Sequence, residues 1–250
     1  LPSSMEFADE IPEDLKHYSS LRDHLKDFDA TVVVGDERIR VHKALLSARI
    51  PFFHGLFESN MAECSSGEVT ITQFDYSTVK ALIDYAYTGQ ITIDEANEHD
   101  LLFGANYFGM DSVQHACGRF MFKRLRVETA LPILLLCRSI GFHGIEEDVL
   151  QYVAKNLLSI SGTPEFRQLT VDDLQIILNK EDLQVDEEKQ AFDAISCWMG
   201  TDEERHKHGP SLLRCVRCTL IPVAVITEVL ERTPWVVSNQ GCRALLEEAK

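Results

Sequence analysis

Cysteines and histidines are the residues of this chain whose types and spacing could hold a metal ion or supply a nucleophile. Cys215 and Cys218 form a Cys-x-x-Cys pair, which could supply half of a structural zinc site or act as a redox pair. A structural zinc needs four ligands, and the nearest further candidates are His206 and His208, in a polar stretch. The helical spacing of the pair, beside several leucines, favours buried thiols instead.

The other cysteines are spread along the chain, mostly within apolar helical patterns. They are Cys64, Cys117, Cys137, Cys197 and Cys242. An odd total of seven favours free thiols in a reducing compartment over a disulfide framework. The N-terminus is acidic, whereas a secretory signal would be basic. The sequence therefore predicts a cytoplasmic protein, or one that is also nuclear.

No catalytic motif stands out in the sequence. It contains no glycine-rich nucleotide-binding motif, no Gly-x-Ser-x-Gly and no His-Glu-x-x-His. Gly104 and Gly109 have the spacing of a phosphate loop, but Met110 follows where the lysine would be. His42, at a predicted strand-to-helix junction, is interpreted as structural rather than catalytic. We predict no catalytic residue, no metal and no cofactor, with an enzyme carrying an unrecognised site as an open alternative.

Composition excludes two classes of partner. The 250 residues include 24 Lys and Arg against 40 Asp and Glu, a net charge of −16. Nucleic acids and anionic membranes are bound through clustered basic residues, and no such cluster occurs in the sequence. The longest apolar run, near Ala130–Cys137, is shorter than the ~20 residues that span a bilayer. We therefore predict protein partners, with no nucleic acid and no membrane.

Strands are predicted in the first part of the chain only. Residues 1–17 are polar and acidic and predict a flexible arm. Residues 30–34 and 38–41 flank a Gly-Asp turn and predict a β-hairpin. Further strands are predicted at 68–71 and 91–93, and helices at 21–28, 42–49, 51–57, 79–88, 101–108 and 113–125. Gly89 is predicted to end one of these helices, and Asp111 or Ser112 to cap another.

Helical periodicity dominates after residue 127. The predicted helices lie near 127–141, 145–158, 170–179, 186–199, 210–218, 222–231 and 238–249. Thr170 with Asp173 predicts a helix cap, and Pro222 a helix start. This change from mixed strands and helices to helices alone predicts an α+β chain. We predict a domain with a small sheet flanked by helices at 18–124 and an all-α domain at 125–250.

Several segments resemble known families. Residues 28–34, 41–48, 52–57, 61–63 and 85–89 resemble a BTB (POZ) domain. Residues 165–169, 183–185, 191–198 and 212–217 are similar to a BACK domain. The architecture resembles that of kelch-like proteins, with their β-propeller absent from this sequence. The resemblance implies a non-catalytic, homodimeric adaptor of a cullin-3 E3 ubiquitin ligase in the ubiquitin conjugation pathway, linking cullin to a substrate-recognition module for an unknown protein substrate.

The resemblance also implies two sets of site residues. Cullin-3 binding would involve an apolar-x-Glu motif together with residues on the same face and on the first BACK helix: Phe57, Met61, Ala62, Glu63, Asn106, Tyr107, Leu131 and Leu134. The dimer interface would include a charged pair, Asp29 with Lys43, and apolar residues: Leu21, Leu25, Phe28 and Leu45.

Alternatives to these assignments stay open at the level of sequence. Met61 and the apolar run around Leu131 could belong to the core. Gly109 and Met110 stand where many relatives carry Leu-Gln, which puts part of the cullin face in question. The chain could also be a BTB protein that self-associates as a transcriptional or cytoskeletal scaffold without binding cullin.

Overall fold

The computed structural model describes residues 3–24, 26–58, 67–181, 183–200 and 202–250. The chain divides into two compact units, an N-terminal unit, Leu1–Arg124, and a C-terminal unit, Leu125–Lys250. Among the described residues, all strands lie in the N-terminal unit and the C-terminal unit is helical. The predicted α+β fold class is thereby confirmed.

A three-stranded sheet organises the N-terminal unit. Strands β2 (Ala30–Val34) and β3 (Glu37–Val41) form the predicted hairpin, and Gly35 adopts φ +60° in its turn. Strand β4 (Glu68–Ile71) pairs with β2 in parallel, so the strand order is β3-β2-β4. The apolar side chains that alternate along these strands are buried, which directs one face of the sheet into the core.

The prediction of a flexible arm over residues 1–17 is wrong for the residues that the structure describes. Strand β1 (Ser4–Ala8) pairs antiparallel with β5 (Gln90–Asp94), and the Asp9 amide donates to the carbonyl of Gly89 at 2.8 Å. None of the five β1 residues is fully buried. The strand is ordered by pairing with a distant part of the chain. Met5 and Phe7 alternate with polar residues along it, which is a strand signal that the acidic character of the whole segment obscures.

The described residues of the N-terminal unit also form helices. These helices are α1 (Lys16–Asp23), α2 (Lys43–Arg49), α3 (Pro51–Glu58), α4 (Tyr76–Thr88), α5 (Glu98–Phe108) and α6 (Asp111–Lys123). Helix α4 ends at Gly89 as predicted, with φ +68°. Helix α1 ends earlier than predicted, so Leu21 and Phe28 do not share a helix. Met110, rather than Asp111 or Ser112, precedes the first residue of α6.

The part of the C-terminal unit that the structure describes is helical. Its α-helices are α7 (Val127–Ser139), α8 (Glu146–Lys155), α9 (Leu157–Ser161), α10 (Val171–Leu178), α11 (Glu188–Met199), α12 (Gly209–Leu213), α13 (Val223–Glu228), α14 (Pro234–Val237) and α15 (Gln240–Glu248). Short 3₁₀ helices lie between them at Pro164–Gln168, Glu203–His208, Cys218–Leu220 and Leu230–Arg232. The helix predicted over 210–218 stops at Leu213. Cys215 and Cys218 therefore lie outside an α-helix, and Cys218 is buried.

Polar contacts connect the helices of the C-terminal unit. Arg138 of α7 donates to Glu146 of α8 and to Asp173 of α10, at 2.6 and 2.7 Å. The Thr170 hydroxyl accepts from the Asp173 amide, so the predicted cap is present. The buried indoles of Trp198 and Trp235 donate to the Leu169 carbonyl at 2.8 Å and to Ser196 Oγ at 3.1 Å. These bonds satisfy polar groups that the core would otherwise leave unpaired.

Candidate functional site

Helices α3 and α5 place a cluster of aromatic rings at the surface of the N-terminal unit. Pro51 suits the first position of α3, where its missing amide hydrogen costs nothing. Phe53 is fully buried and stacks on Phe108 of α5, with ring centroids 5.8 Å apart and planes 11° apart. Phe52 and Phe57 of the same helix are half-buried, and Phe57 stacks on Phe53.

Two further rings extend this cluster. Tyr107 is 40% exposed, and its ring centroid lies 5.1 Å from that of Phe52 and 5.3 Å from that of Phe74. We call Phe52, Phe57, Phe74 and Tyr107 the aromatic surface. Rigid aromatic side chains bury a large area on binding at little entropic cost, and they are enriched at the centres of protein interfaces. This surface is suited to contacting another protein.

The structure places the predicted cullin-facing residues in three different situations. Phe57 and Tyr107 both belong to the aromatic surface. Asn106 is exposed beside Tyr107, and its Oδ1 accepts from Gln114 Nε2 at 2.8 Å. The motif Met61-Ala62-Glu63 lies outside the described residues.

Leu131 and Leu134 of α7 are fully buried, which corrects their assignment as surface contacts. Their side chains belong to a packed interior, as does that of Cys137 one turn further along the helix. An apolar run at helical spacing has the same sequence pattern whether the core of the protein or a binding partner covers it. The burial found here favours the core interpretation that the sequence left open.

Phe52 and Phe74 were not identified as site residues from the sequence. Phe52 and Phe53 are adjacent and directly follow Pro51, where the helix starts. Two adjacent rings on a surface helix point in different directions, so this pair predicts one buried ring and one outward-facing ring. Phe74 follows β4 and carries no local signal, because only the tertiary fold brings it against Tyr107 and Phe108.

A groove lies beside helix α1, which carries Leu21 of the predicted dimer interface. Its volume is about 710 Å³, and it is lined by Ser19, Arg22, Asp23, Phe28, Arg38, Ile39, Arg40, Tyr76, Lys80, Asp84, Tyr87 and Thr88. We call it the α1 groove. Phe28 is half-buried in its wall, and Leu21 of α1 is also half-buried, whereas Leu25 lies outside the described residues.

A buried histidine supports the wall of the α1 groove. The His42 ring lies 4.8 Å from that of Phe28 and 5.2 Å from that of Tyr18, measured between centroids. Its Nε2 is 2.9 Å from the Lys26 carbonyl, which can only accept, so Nε2 carries a proton. The Tyr87 hydroxyl accepts from the His42 amide at 2.8 Å and lies 2.9 Å from Nδ1. These contacts support the structural interpretation of His42.

The predicted charged pair, Asp29 with Lys43, is joined in the single chain through the backbone amide of Lys43. Asp29 is exposed, and its Oδ1 accepts from the backbone amide of Lys43 at 2.7 Å, at the start of α2. Asp29 thus satisfies one of the free amides of a helix N-terminus. Leu45, on the same helix, is fully buried in the core. Its side chain is not available to a partner, which corrects its assignment to the dimer interface.

The described residues contain no group of three or more His, Cys, Asp or Glu side chains arranged to hold a metal ion. Burial raises the pKa of Cys117 to about 12 and those of Cys137 and Cys242 to about 11. These thiols therefore stay protonated and are poor nucleophiles at neutral pH. No helix within the described ranges is long and apolar enough to cross a membrane.

Comparisons with known proteins identify the two halves of the chain. A family model described as BTB/POZ domain matches residues 18–125, and one described as BTB And C-terminal Kelch (BACK) matches residues 130–231. Among solved structures, the BTB domain of zebrafish PATZ1 is similar at 24% identity and a TM-score of 0.39, covering 44% of this chain and 88% of that one.

The curated relatives match across both halves. Kelch-like protein 28 of Mus musculus is 30% identical over 236 residues, which is 94% of this chain and 41% of that protein. Kelch-like protein 30 of Mus musculus is 28% identical over 235 residues, 94% of this chain and 40% of that protein. The chain thus spans about 40% of the length of these relatives. It belongs to the BTB–BACK proteins of the kelch-like type.

Proposed function

We propose that this chain is a non-catalytic, dimeric adaptor that links cullin-3 to a substrate-recognition module in a ubiquitin ligase. The family resemblance implies this role, and the observation that carries it is the aromatic surface on α3 and α5. Four partly exposed rings are a large apolar feature for a free surface, and such features mark protein-binding sites.

The aromatic surface has the chemistry to receive apolar side chains of a partner helix. The Tyr107 ring contacts those of Phe52 and Phe74, and Phe57 stacks on the buried Phe53. In sequence, Met61 and Glu63 follow α3 closely. In the proposed role Met61 adapts to the partner's apolar surface, and Glu63 sets the register by charge or hydrogen bonding.

Self-association is the second part of the proposal. Leu21 and Phe28, next to the α1 groove, are the described apolar residues that would meet the partner subunit. A dimer presents two cullin-bound arms to one substrate, which raises the effective concentration of the ligase. We expect Leu21→Asp with Phe28→Asp to convert the dimer to monomer in sedimentation velocity. A wild-type chain that sediments as a monomer contradicts this part.

Calorimetric titration with the N-terminal region of cullin-3 tests the cullin part. Wild type should bind, and Met61→Asp and Glu63→Ala should each weaken binding. Tyr107→Ala should weaken it by about tenfold or more, because truncating a central interface aromatic costs ~2 kcal/mol. The matched control is Phe122→Ala, which removes a ring of similar exposure, 37%, from α6.

Two results would overturn the cullin assignment. One is a wild-type dimer that does not bind cullin-3, which favours the self-associating scaffold that acts in transcription or on the cytoskeleton. The other is an equal loss of affinity for Tyr107→Ala and Phe122→Ala, which would mean that the aromatic surface plays no specific part.

A further inference from the structure

A second groove lies in the C-terminal unit, between one apolar wall and one acidic wall. One wall is the start of α11 with the residues before it, Val185–Lys189. The other wall is formed by Leu220, Ile221, Pro222 and Val225, at the end of a 3₁₀ helix and the start of α13. We call this the acidic groove. Its volume is about 580 Å³, within the ~300–1,000 Å³ range of ligand-sized sites.

The apolar wall of the acidic groove is unusually open to solvent. Leu220 is 65% exposed, and Val223 beside it is 50% exposed. Ile221, in contrast, is buried and fixes the wall to the unit. An exposed leucine standing beside a groove can contribute binding energy, because covering a Leu side chain is worth ~1.5–3 kcal/mol.

The opposite wall is negatively charged. Asp186 and Glu187 are exposed. The Glu188 side chain points toward the protein. Its carboxylate accepts from the Arg217 amide at 3.2 Å and lies 3.6 Å from Arg217 Nε. Lys189 donates to Asp193 at 2.7 Å, one turn along α11. Lys189 of this wall and Arg217, which lies outside the lining, are thus both paired with carboxylates, whereas Asp186 and Glu187 are exposed.

We propose that the acidic groove binds a short protein segment in which apolar residues are flanked by lysine or arginine. The apolar residues would cover Leu220 and Val225, and the basic residues would pair with Asp186 and Glu187. The negative charge of the groove distinguishes between its possible occupants. A second copy of this chain, at −16, would be repelled, whereas a basic segment is attracted. The site lies in the C-terminal unit and is independent of the proposed cullin surface.

Fluorescence anisotropy with the whole chain tests this proposal, and the probe is a short labelled peptide of alternating lysine and leucine. We expect Leu220→Asp to weaken binding by about tenfold or more. Val237→Asp is the matched control, since Val237 is 51% exposed, lies outside the groove and gives the same change in charge. Non-specific attraction to an acidic protein would strengthen with either substitution, so a loss confined to Leu220→Asp reports the groove.

A double variant separates the charged wall from the apolar wall. Asp186→Lys with Glu187→Lys should weaken the lysine–leucine peptide and favour a glutamate–leucine peptide of the same length. Far-UV circular dichroism and the melting temperature check that each variant is folded. Three results would overturn the proposal: no binding by wild type, equal binding by Leu220→Asp and Val237→Asp, or no change in peptide preference in the double variant.

Discussion

At the scale of single residues, Gly89 is a position where a side chain cannot be accommodated. Its φ of +68° is a left-handed conformation, and a Cβ there would clash with the carbonyl oxygen of Asp9. That carbonyl belongs to the residue whose amide bonds to Gly89, just after β1. The glycine therefore both ends α4 and allows the N-terminal segment to approach.

We predict that Gly89→Ala destabilises the chain by at least about 2 kcal/mol. The left-handed conformation alone costs ~1–2 kcal/mol for a residue with a Cβ, and the clash adds to it. Urea unfolding measures the change. Gly35→Ala is the control, because Gly35 has φ +60° with no atom within 4 Å of the added Cβ. Equal losses in the two variants would show that the clash contributes nothing.

Asp173 is a carboxylate with a structural role. It is buried, its oxygens bind the Arg138 guanidinium at 2.7 Å, and it accepts from the Thr170 amide at 2.9 Å. We predict that Asp173→Asn destabilises the chain by about 3 kcal/mol, because it leaves the cation without one of its partners. Asp193→Asn, in a half-exposed pair with Lys189, should cost less, about 0.5–1 kcal/mol. Thermal or urea unfolding distinguishes them.

The same network makes stability depend on pH. Burial alone would raise the pKa of Asp173 and of Glu146, but hydrogen bonds, from Arg138 and Thr170 to Asp173 and from His143 and Arg138 to Glu146, hold both below their ordinary values of 3.8 and 4.5. As the pH falls, these carboxyl groups therefore bind protons at a higher pH in the unfolded chain than in the folded chain. Stability is full above about pH 4.5 and declines below it, until the native carboxyls are protonated too.

Unfolding free energies measured across the acid range check this expectation. The wild type should lose stability progressively as the pH drops through 4.5 and 3.8. Asp173→Asn lacks one of the two carboxyls, so its decline should be shallower. An identical slope in both proteins would mean that other carboxylates account for the pH dependence.

At the scale of elements, the Tyr87 hydroxyl connects α4 to the start of α2. It is the partner of both the amide and Nδ1 of the buried His42, and burial raises the pKa of Tyr87 to about 12. We predict that Tyr87→Phe destabilises the N-terminal unit by about 1–3 kcal/mol, since it leaves a buried donor and acceptor unpaired. Tyr107→Phe, at an exposed position, should change stability by less than about 0.5 kcal/mol. Similar losses in the two variants would contradict the role of this hydroxyl.

Elements with strong local signals could be predicted from the sequence. The hairpin of β2 and β3 follows from alternating apolar residues around a Gly-Asp turn, and α3 begins at Pro51 as predicted. The Thr170 cap and the end of α4 at Gly89 follow from side-chain and backbone chemistry within one turn of the helix. In each case the interactions that specify the element lie within a few residues.

Elements and contacts that depend on distant residues could not be predicted. Strand β1 is ordered by β5, which lies far along the chain, and its short alternation of Met5 and Phe7 stands in an acidic segment that by composition predicts a flexible arm. Leu131 and Leu134 have the pattern of any apolar helix face, and only the packed structure assigns them to the core. Phe57 and Tyr107 were named from family resemblance, whereas Phe74 required the tertiary fold to be found.

At the scale of the whole molecule, the charge of −16 opposes compaction. The 40 acidic residues outnumber the 24 basic ones, so we expect repulsion to outweigh the exposed ion pairs. We predict that sodium chloride raises the melting temperature, because ~0.1 M salt reduces the screening length to about 10 Å. Choline chloride should raise it equally if screening is the cause. A melting temperature that falls with salt would mean that attractive pairs dominate.

Both tryptophans of the chain, Trp198 and Trp235, belong to the C-terminal unit, and the N-terminal unit contains none. Because both indoles are buried and hydrogen-bonded, their emission spectrum should move to longer wavelength when that unit opens. The far-ultraviolet ellipticity, in contrast, sums over helices from both units. Recording both signals in a single melt gives each half of the polypeptide its own optical reporter, with no dye or label attached.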